Sequence, residues 1–221
     1  MNFRFQDRSE AGRLLALKLK HYEGRSDVVV LAVPRGGVPV GFEVAGSLCA
    51  PMDVFVVRKL GMPGHEEFAL GAIASGGVSF LNEKAIEKLR VSREVIEAVM
   101  ARERLELDRQ ERIYRKYDRA IDVKDQTVVL VDDGLATGAS MQAAVRAVRQ
   151  RRPARIVVAV PVAAPDTCID LAREVDEFVC VQTPDPFFAV GTWYDDFSQI
   201  GDEEVRALLE QATRFQQVIP A

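Results

Sequence analysis

The stretch TVVLVDDGLATGAS, residues 127–140, decides the fold. Five mostly β-branched apolar residues run straight into two adjacent carboxylates, Asp132 and Asp133. A loop of small residues follows, then a segment of good helix formers. A short apolar run bounded this way predicts a strand buried on both faces, as in a parallel sheet covered by helices. Ligands of such sheets sit beyond the carboxyl ends of the strands, where this acid pair stands.

Outward from it the same alternation repeats. Upstream, DRSEAGRLLALKLKHY (7–22) has helical spacing after a polar start. DVVVLAVPRGG (27–37) predicts a buried strand and turn, VPVGFEVAGSLC (38–49) a helix, and MDVFVVRK (52–59) a second strand. LGMPGHEEF (60–68), rich in glycine and charge, predicts a mobile loop. ALGAIA (69–74) and GVSFL (77–81) predict a hairpin around SGG. One long charged helix is expected over about 92–119, since 92–117 holds good helix formers and neither glycine nor proline. Downstream come a helix over 138–151, a strand over 155–163, a helix over 165–174, a strand over 177–184, and an aromatic tail ending in a helix. The fold class is therefore α/β: a mostly parallel twisted sheet with helices on both faces.

The 221 residues suit one domain, 1–221, with a small hood from about 183–200 joined by the N-terminal segment. The net charge of −4 argues against a nucleic-acid partner, and no apolar run suggests a membrane partner. Cys49, Cys168 and Cys180 lie far apart, which predicts reduced thiols in a cytoplasmic protein. His21 and His65 are too distant to make a histidine metal site.

Two adjacent carboxylates at the end of a buried strand repel each other, so they need hydroxyl donors, a cation or water to offset that cost. The loop after them offers backbone N–H groups at a helix N-terminus, where small residues let an anion approach and the helix dipole favours it. Thr137 and Ser140 add hydroxyls. A sugar phosphate fits, with its diol on the aspartates and its phosphate in the loop. The bland alternative is a capped helix after a strand with two solvated aspartates.

At this point VVLVDDGLATGAS (128–140) resembles the 5-phosphoribosyl 1-diphosphate (PRPP) signature of the type I phosphoribosyltransferases, and is most similar to its adenine form. The resemblance implies PRPP binding by Asp132, Asp133, Gly134, Leu135, Ala136, Thr137, Gly138, Ala139 and Ser140. It implies Mg²⁺ met by Asp132 and Asp133 indirectly, through PRPP. The partners it implies are PRPP and a small nitrogenous base, in a homodimer. VPRGGVPVG (33–41) is similar to the family's pyrophosphate loop, with Arg35, Gly36 and Gly37 as pyrophosphate contacts and a strained, cis-capable bond between Pro34 and Arg35. VVRK (56–59) adds Arg58 or Lys59 to that subsite. GMPGHEEFALG (61–71) takes the place of the flexible catalytic loop, where Glu66 or Glu67 would serve as general base beside the catalytic pair Asp133 and Arg35. PFFAVGTWYDDFSQI (186–200) is similar to the base-binding hood of hypoxanthine-type enzymes. It makes Phe188 and Trp193 candidate stacking residues and puts Asp195 near the base or metal. The chain has Ala136 where those enzymes carry an acid, which argues against a standard 6-oxopurine substrate. A PRPP- or nucleotide-sensing protein on the same fold is the alternative to an enzyme.

Overall fold

The computed structural model describes residues 3–115 and 120–218. In chain order the elements are α1 (Arg8–Lys18), β1 (Val28–Ala32), α2 (Gly37–Leu48), β2 (Met52–Val54), β3 (Val57–Met62), β4 (His65–Ala74), β5 (Val78–Leu81), α3 (Glu83–Leu89), α4 (Arg93–Arg115), β6 (Thr127–Val131), α5 (Ala139–Gln150), β7 (Arg155–Val162), α6 (Pro165–Ala172), β8 (Glu177–Gln182) and α7 (Asp202–Ala212).

Five strands form a parallel sheet in the order β2-β1-β6-β7-β8. Successive side chains point to opposite faces of a strand, and here both faces are apolar. Val28, Val30 and Ala32 of β1 and Val129 and Val131 of β6 face one core, built with α1, α2 and α7. Val29, Leu31, Val128 and Leu130 face the other, built with α5. That pattern explains why these strands read as unbroken apolar runs.

The chain leaves β1 toward β2 on one side and returns to β6 on the other. The strand order therefore reverses between β1 and β6, paired in register from Val28↔Thr127 to Ala32↔Val131. A crevice opens at such a point, outside the carboxyl ends. It receives the turn after Ala32 and the acid pair after Val131.

Two expectations need correction. MDVFVVRK is not one strand. Met52, Asp53 and Val54 extend the parallel sheet, and Val57 begins an antiparallel sheet of order β3-β4-β5. Phe55 and Val56 make the crossing, buried in opposite cores. LGMPGHEEF is not a loop either. It folds as the β3–β4 hairpin around Pro63 and Gly64, with register shifts on either side of Gly61. Leu60 and Leu70 are buried in the core that includes Val99 and Leu107 of α4, while Lys59 and the turn residues Pro63 and Gly64 are exposed. Gly64 takes φ +78°, where glycine is unhindered.

The long helix α4 is observed over Arg93–Arg115, and the remainder of the expected span, 116–119, lies outside the described residues. Ion pairs Arg58–Glu103 and Arg115–Asp53, at 2.7 and 3.0 Å, tie it to the two sheets. Among the described residues, no helix is long and apolar enough to cross a membrane.

Candidate active site

β1 and β6 deliver their loops side by side. The turn after β1 contains a cis bond between Pro34 and Arg35, as the resemblance implies. Gly36 and Gly37 then begin α2 directly against the acid pair. A Cβ on Gly36 would stand 2.0 Å from Asp133 Oδ2, and one on Gly37 would stand 2.9 Å from Asp132 Cα. Only glycine permits this approach.

Asp132 and Asp133 are half-buried. Burial, then the neighbouring Asp133 carboxylate, push the Asp132 carboxyl well above the ordinary aspartate range. Burial also raises Asp133, although Arg8 opposes that shift. The Asp133 amide donates to Asp132 Oδ1 at 2.8 Å, and Arg8 Nε donates to Asp133 Oδ2 at 2.8 Å. The Tyr194 hydroxyl donates to the Asp133 carbonyl. Among the described residues these bonds leave Asp132 Oδ2 and Asp133 Oδ1 without a protein donor.

The small-residue loop is held from below. The Leu135 amide bonds the Val162 carbonyl at 2.9 Å, and the Thr167 hydroxyl donates to the Ala136 carbonyl. Gly138 sits at φ +69° and opens α5 with no side-chain cap, so the first-turn amides of that helix face the loop. Thr137, Ala139 and Ser140 are exposed there.

Arg8, Arg35, Gly36, Asp133, Phe197, Gln199 and Ile200 enclose a cleft of about 350 Å³. Arg35 is partly exposed, with Asp202 at 3.9 Å. Asp202 also accepts from the Tyr114 hydroxyl of α4 at 2.8 Å. The long helix thus reaches the site through one carboxylate.

The model of the phosphoribosyl transferase domain matches residues 64–196. The chain belongs to this family. Two relatives from strains of Mycobacterium tuberculosis, provisionally named phosphoribosyl transferases, are each 44% identical over 210 residues, 95% of this chain and 47% of theirs. The chain therefore spans about half the length of the curated relatives it matches. A solved structure from Thermus thermophilus is 45% identical with a TM-score of 0.84, covering 95% of this chain and 99% of that one.

Within this phosphoribosyl transferase fold the other sequence candidates fare unevenly. Arg58 is engaged by Glu103 of α4. Lys59 points the other way, lining a second cavity with Ala139, Gln142 and Arg146 of α5. Glu66 and Glu67 fall within β4, and their side chains lie outside the described residues. Phe188 is 81% exposed. Trp193 packs partly buried beside Phe5 and Tyr194, and its indole N–H is buried without an acceptor among the described residues. Asp195 pairs with Arg4 at 3.1 Å on the surface. The N-terminal segment is bonded to the aromatic tail: the Phe5 amide bonds the Trp193 carbonyl, and the Asp195 amide bonds the Phe5 carbonyl.

The structure also brings Arg8, Tyr194 and Phe197 to the site, where Arg8 and Tyr194 bond Asp133 and Phe197 packs on Arg8. The tail motif contains the two aromatic residues. Nothing local marks Arg8, which meets Asp133 across 125 positions.

Proposed function

We propose that the protein transfers the ribosyl 5-phosphate group of PRPP to a nitrogen of a small base and releases pyrophosphate. What supports this reading most is the pair of carboxylate oxygens, Asp132 Oδ2 and Asp133 Oδ1, left without protein donors among the described residues beside a small-residue loop at the switch point. Two ribose hydroxyls would donate to them, and doing so would relieve the repulsion and burial that raise both carboxyls. The 5-phosphate would take the amides and hydroxyls of Thr137, Gly138, Ala139 and Ser140.

In the reaction the bond from C1 of the ribose to pyrophosphate oxygen breaks, and a bond from C1 to the base nitrogen forms. The transition state has oxocarbenium character, as in other glycosyl transfers. Arg35, Gly36 and Gly37 would take the charge that accumulates on the leaving oxygen; of the two strand-end cations Arg58 is engaged by Glu103, which leaves Lys59, on the neighbouring cavity beside Ala139, as the candidate to join them. The proton lost by the base nitrogen would pass to a carboxylate of β4, Glu67. Mg²⁺ fits this donor set, since it is ordinarily held by one or two carboxylates together with substrate phosphates. Asp132 and Asp133 would meet it through PRPP, and when bound it neutralises pyrophosphate charge. Phe188, Trp193 and Asp195 remain the proposed base side of the hood. A homodimer, suggested by the resemblance and the amphipathic α4, is checked by light scattering.

Release of pyrophosphate from PRPP and Mg²⁺, across a panel of purine and pyrimidine bases, tests the reading. Turnover with one base class supports the enzyme. Tight PRPP binding without turnover on any base makes the protein a sensor instead.

A further inference from the structure

Arg8 is the first residue of α1, and its guanidinium is fixed on three sides. Nε donates to Asp133 Oδ2 at 2.8 Å, Nη1 donates to the Ser198 carbonyl at 2.9 Å, and the group lies 3.9 Å from the centre of the Phe197 ring. The side chain is only 9% exposed. Nη2 has no acceptor among the described residues, and Arg8 lines the same cleft as Arg35 and Gly36.

A carboxylate pair is a poor neighbour for pyrophosphate, because like charges at close range repel strongly in a half-buried site. One arginine would leave much of the leaving group's charge unopposed, and Arg35 is itself near Asp202. A planar guanidinium locked by packing presents its remaining N–H groups in a geometry that suits phosphate oxygens.

We propose that Arg8 is the second cation of the pyrophosphate subsite: it cancels the field of Asp133 toward the leaving group and donates to that group directly. This rests on the phosphoribosyl transfer reading above. Arg8 thereby links the residue that holds the ribose to the group that departs from it. Phe197 acts as a positioning residue, keeping the guanidinium in plane.

Calorimetric titrations with inorganic pyrophosphate and, separately, ribose 5-phosphate, both with magnesium, test this on the wild type, Arg8→Gln, Arg8→Lys and Phe197→Leu. Arg8→Gln is expected to weaken pyrophosphate at least about tenfold, the worth of one charge-assisted hydrogen bond, and ribose 5-phosphate by less than about threefold. Arg8→Lys recovers part of the loss by restoring the charge. Phe197 is 38% exposed, so Phe197→Leu retains the fold and shows the same selective loss at smaller size. Equal weakening of both ligands in Arg8→Gln, or no recovery in Arg8→Lys, means that Arg8 acts only by holding Asp133, and overturns the proposal. Wild type that binds both ligands, with no change in Arg8→Gln, overturns it alone. Wild type that binds neither defeats phosphoribosyl transfer as well.

Discussion

Gly36 and Asp133 touch across the switch point, with no room for a methyl group between the Gly36 backbone and Asp133 Oδ2. The contact joins the loop expected to hold pyrophosphate to the carboxylate expected to hold ribose. Its backbone angles (φ −61°) are ordinary, so close approach rather than conformational freedom requires glycine at this position. Gly36→Ala is expected to destabilise the protein by ~1–3 kcal/mol, the range for overpacking, and to weaken PRPP at least about tenfold. Thermal melts and PRPP titration check both, and unchanged PRPP affinity would contradict the arrangement.

The two aspartates should respond in opposite ways to neutralisation. Burial, together with Asp133, holds the Asp132 carboxyl above its ordinary pKa. The folded state therefore binds more protons than the unfolded chain, and stability falls as pH rises from about 4, the unfolded value, toward the folded one. Asp132→Asn removes that loss. The ligand-free variant should be more stable than wild type at pH 7, and the difference should vanish toward pH 4.

Asp133→Asn instead leaves the largely buried Arg8 guanidinium without its carboxylate partner. Removing one partner of a buried pair costs ~3–5 kcal/mol, and relief of the burial that raises Asp133 offsets part of that cost, so this variant should be less stable at pH 7 by less than the full range. Denaturant melts of the two variants side by side decide the matter, and equal effects would contradict the assigned roles.

The strand, acid pair and loop over 127–140 were legible because their chemistry is contiguous, and the apolar runs pointed to the parallel sheet. The hairpin over 57–74 was not, since its strands mix charge and glycine with the apolar residues they bury: Lys59 is exposed, and Leu60 beside it is buried. Arg8 escaped notice for a different reason. Its partners, Asp133 and Ser198, are 125 and 190 positions away, and no periodicity reports a contact that only the assembled sheet creates.

The role of α4 follows from Tyr114. Its hydroxyl fixes Asp202, which stands 3.9 Å from Arg35. Burial and that hydrogen bond to Asp202 raise the phenol's pKa, so it stays a neutral donor through neutral pH. Tyr114→Phe should cost ~1 kcal/mol of stability, the usual worth of one hydrogen bond, and lower kcat several-fold through Arg35 while leaving ribose 5-phosphate binding intact. Parallel loss of ribose 5-phosphate binding would argue for a general loosening instead.

Thr167 supports, from α6, the loop proposed to hold the phosphate. Its hydroxyl donates to the Ala136 carbonyl, and its methyl lies where a Cβ on Gly138 would fall, 2.6 Å away. Thr167→Val keeps the methyl contact and removes the donor. PRPP and ribose 5-phosphate should both weaken by about five- to tenfold, the equivalent of ~1 kcal/mol or slightly more, whereas pyrophosphate should bind as in wild type.

The most direct test of the account is a calorimetric titration of PRPP with Mg²⁺ into wild type and Asp132→Asn. The account predicts saturable one-site binding to wild type, weakened at least about tenfold in a variant that is folded and more stable. Absence of binding to wild type, or equal affinity in the two proteins, would contradict it.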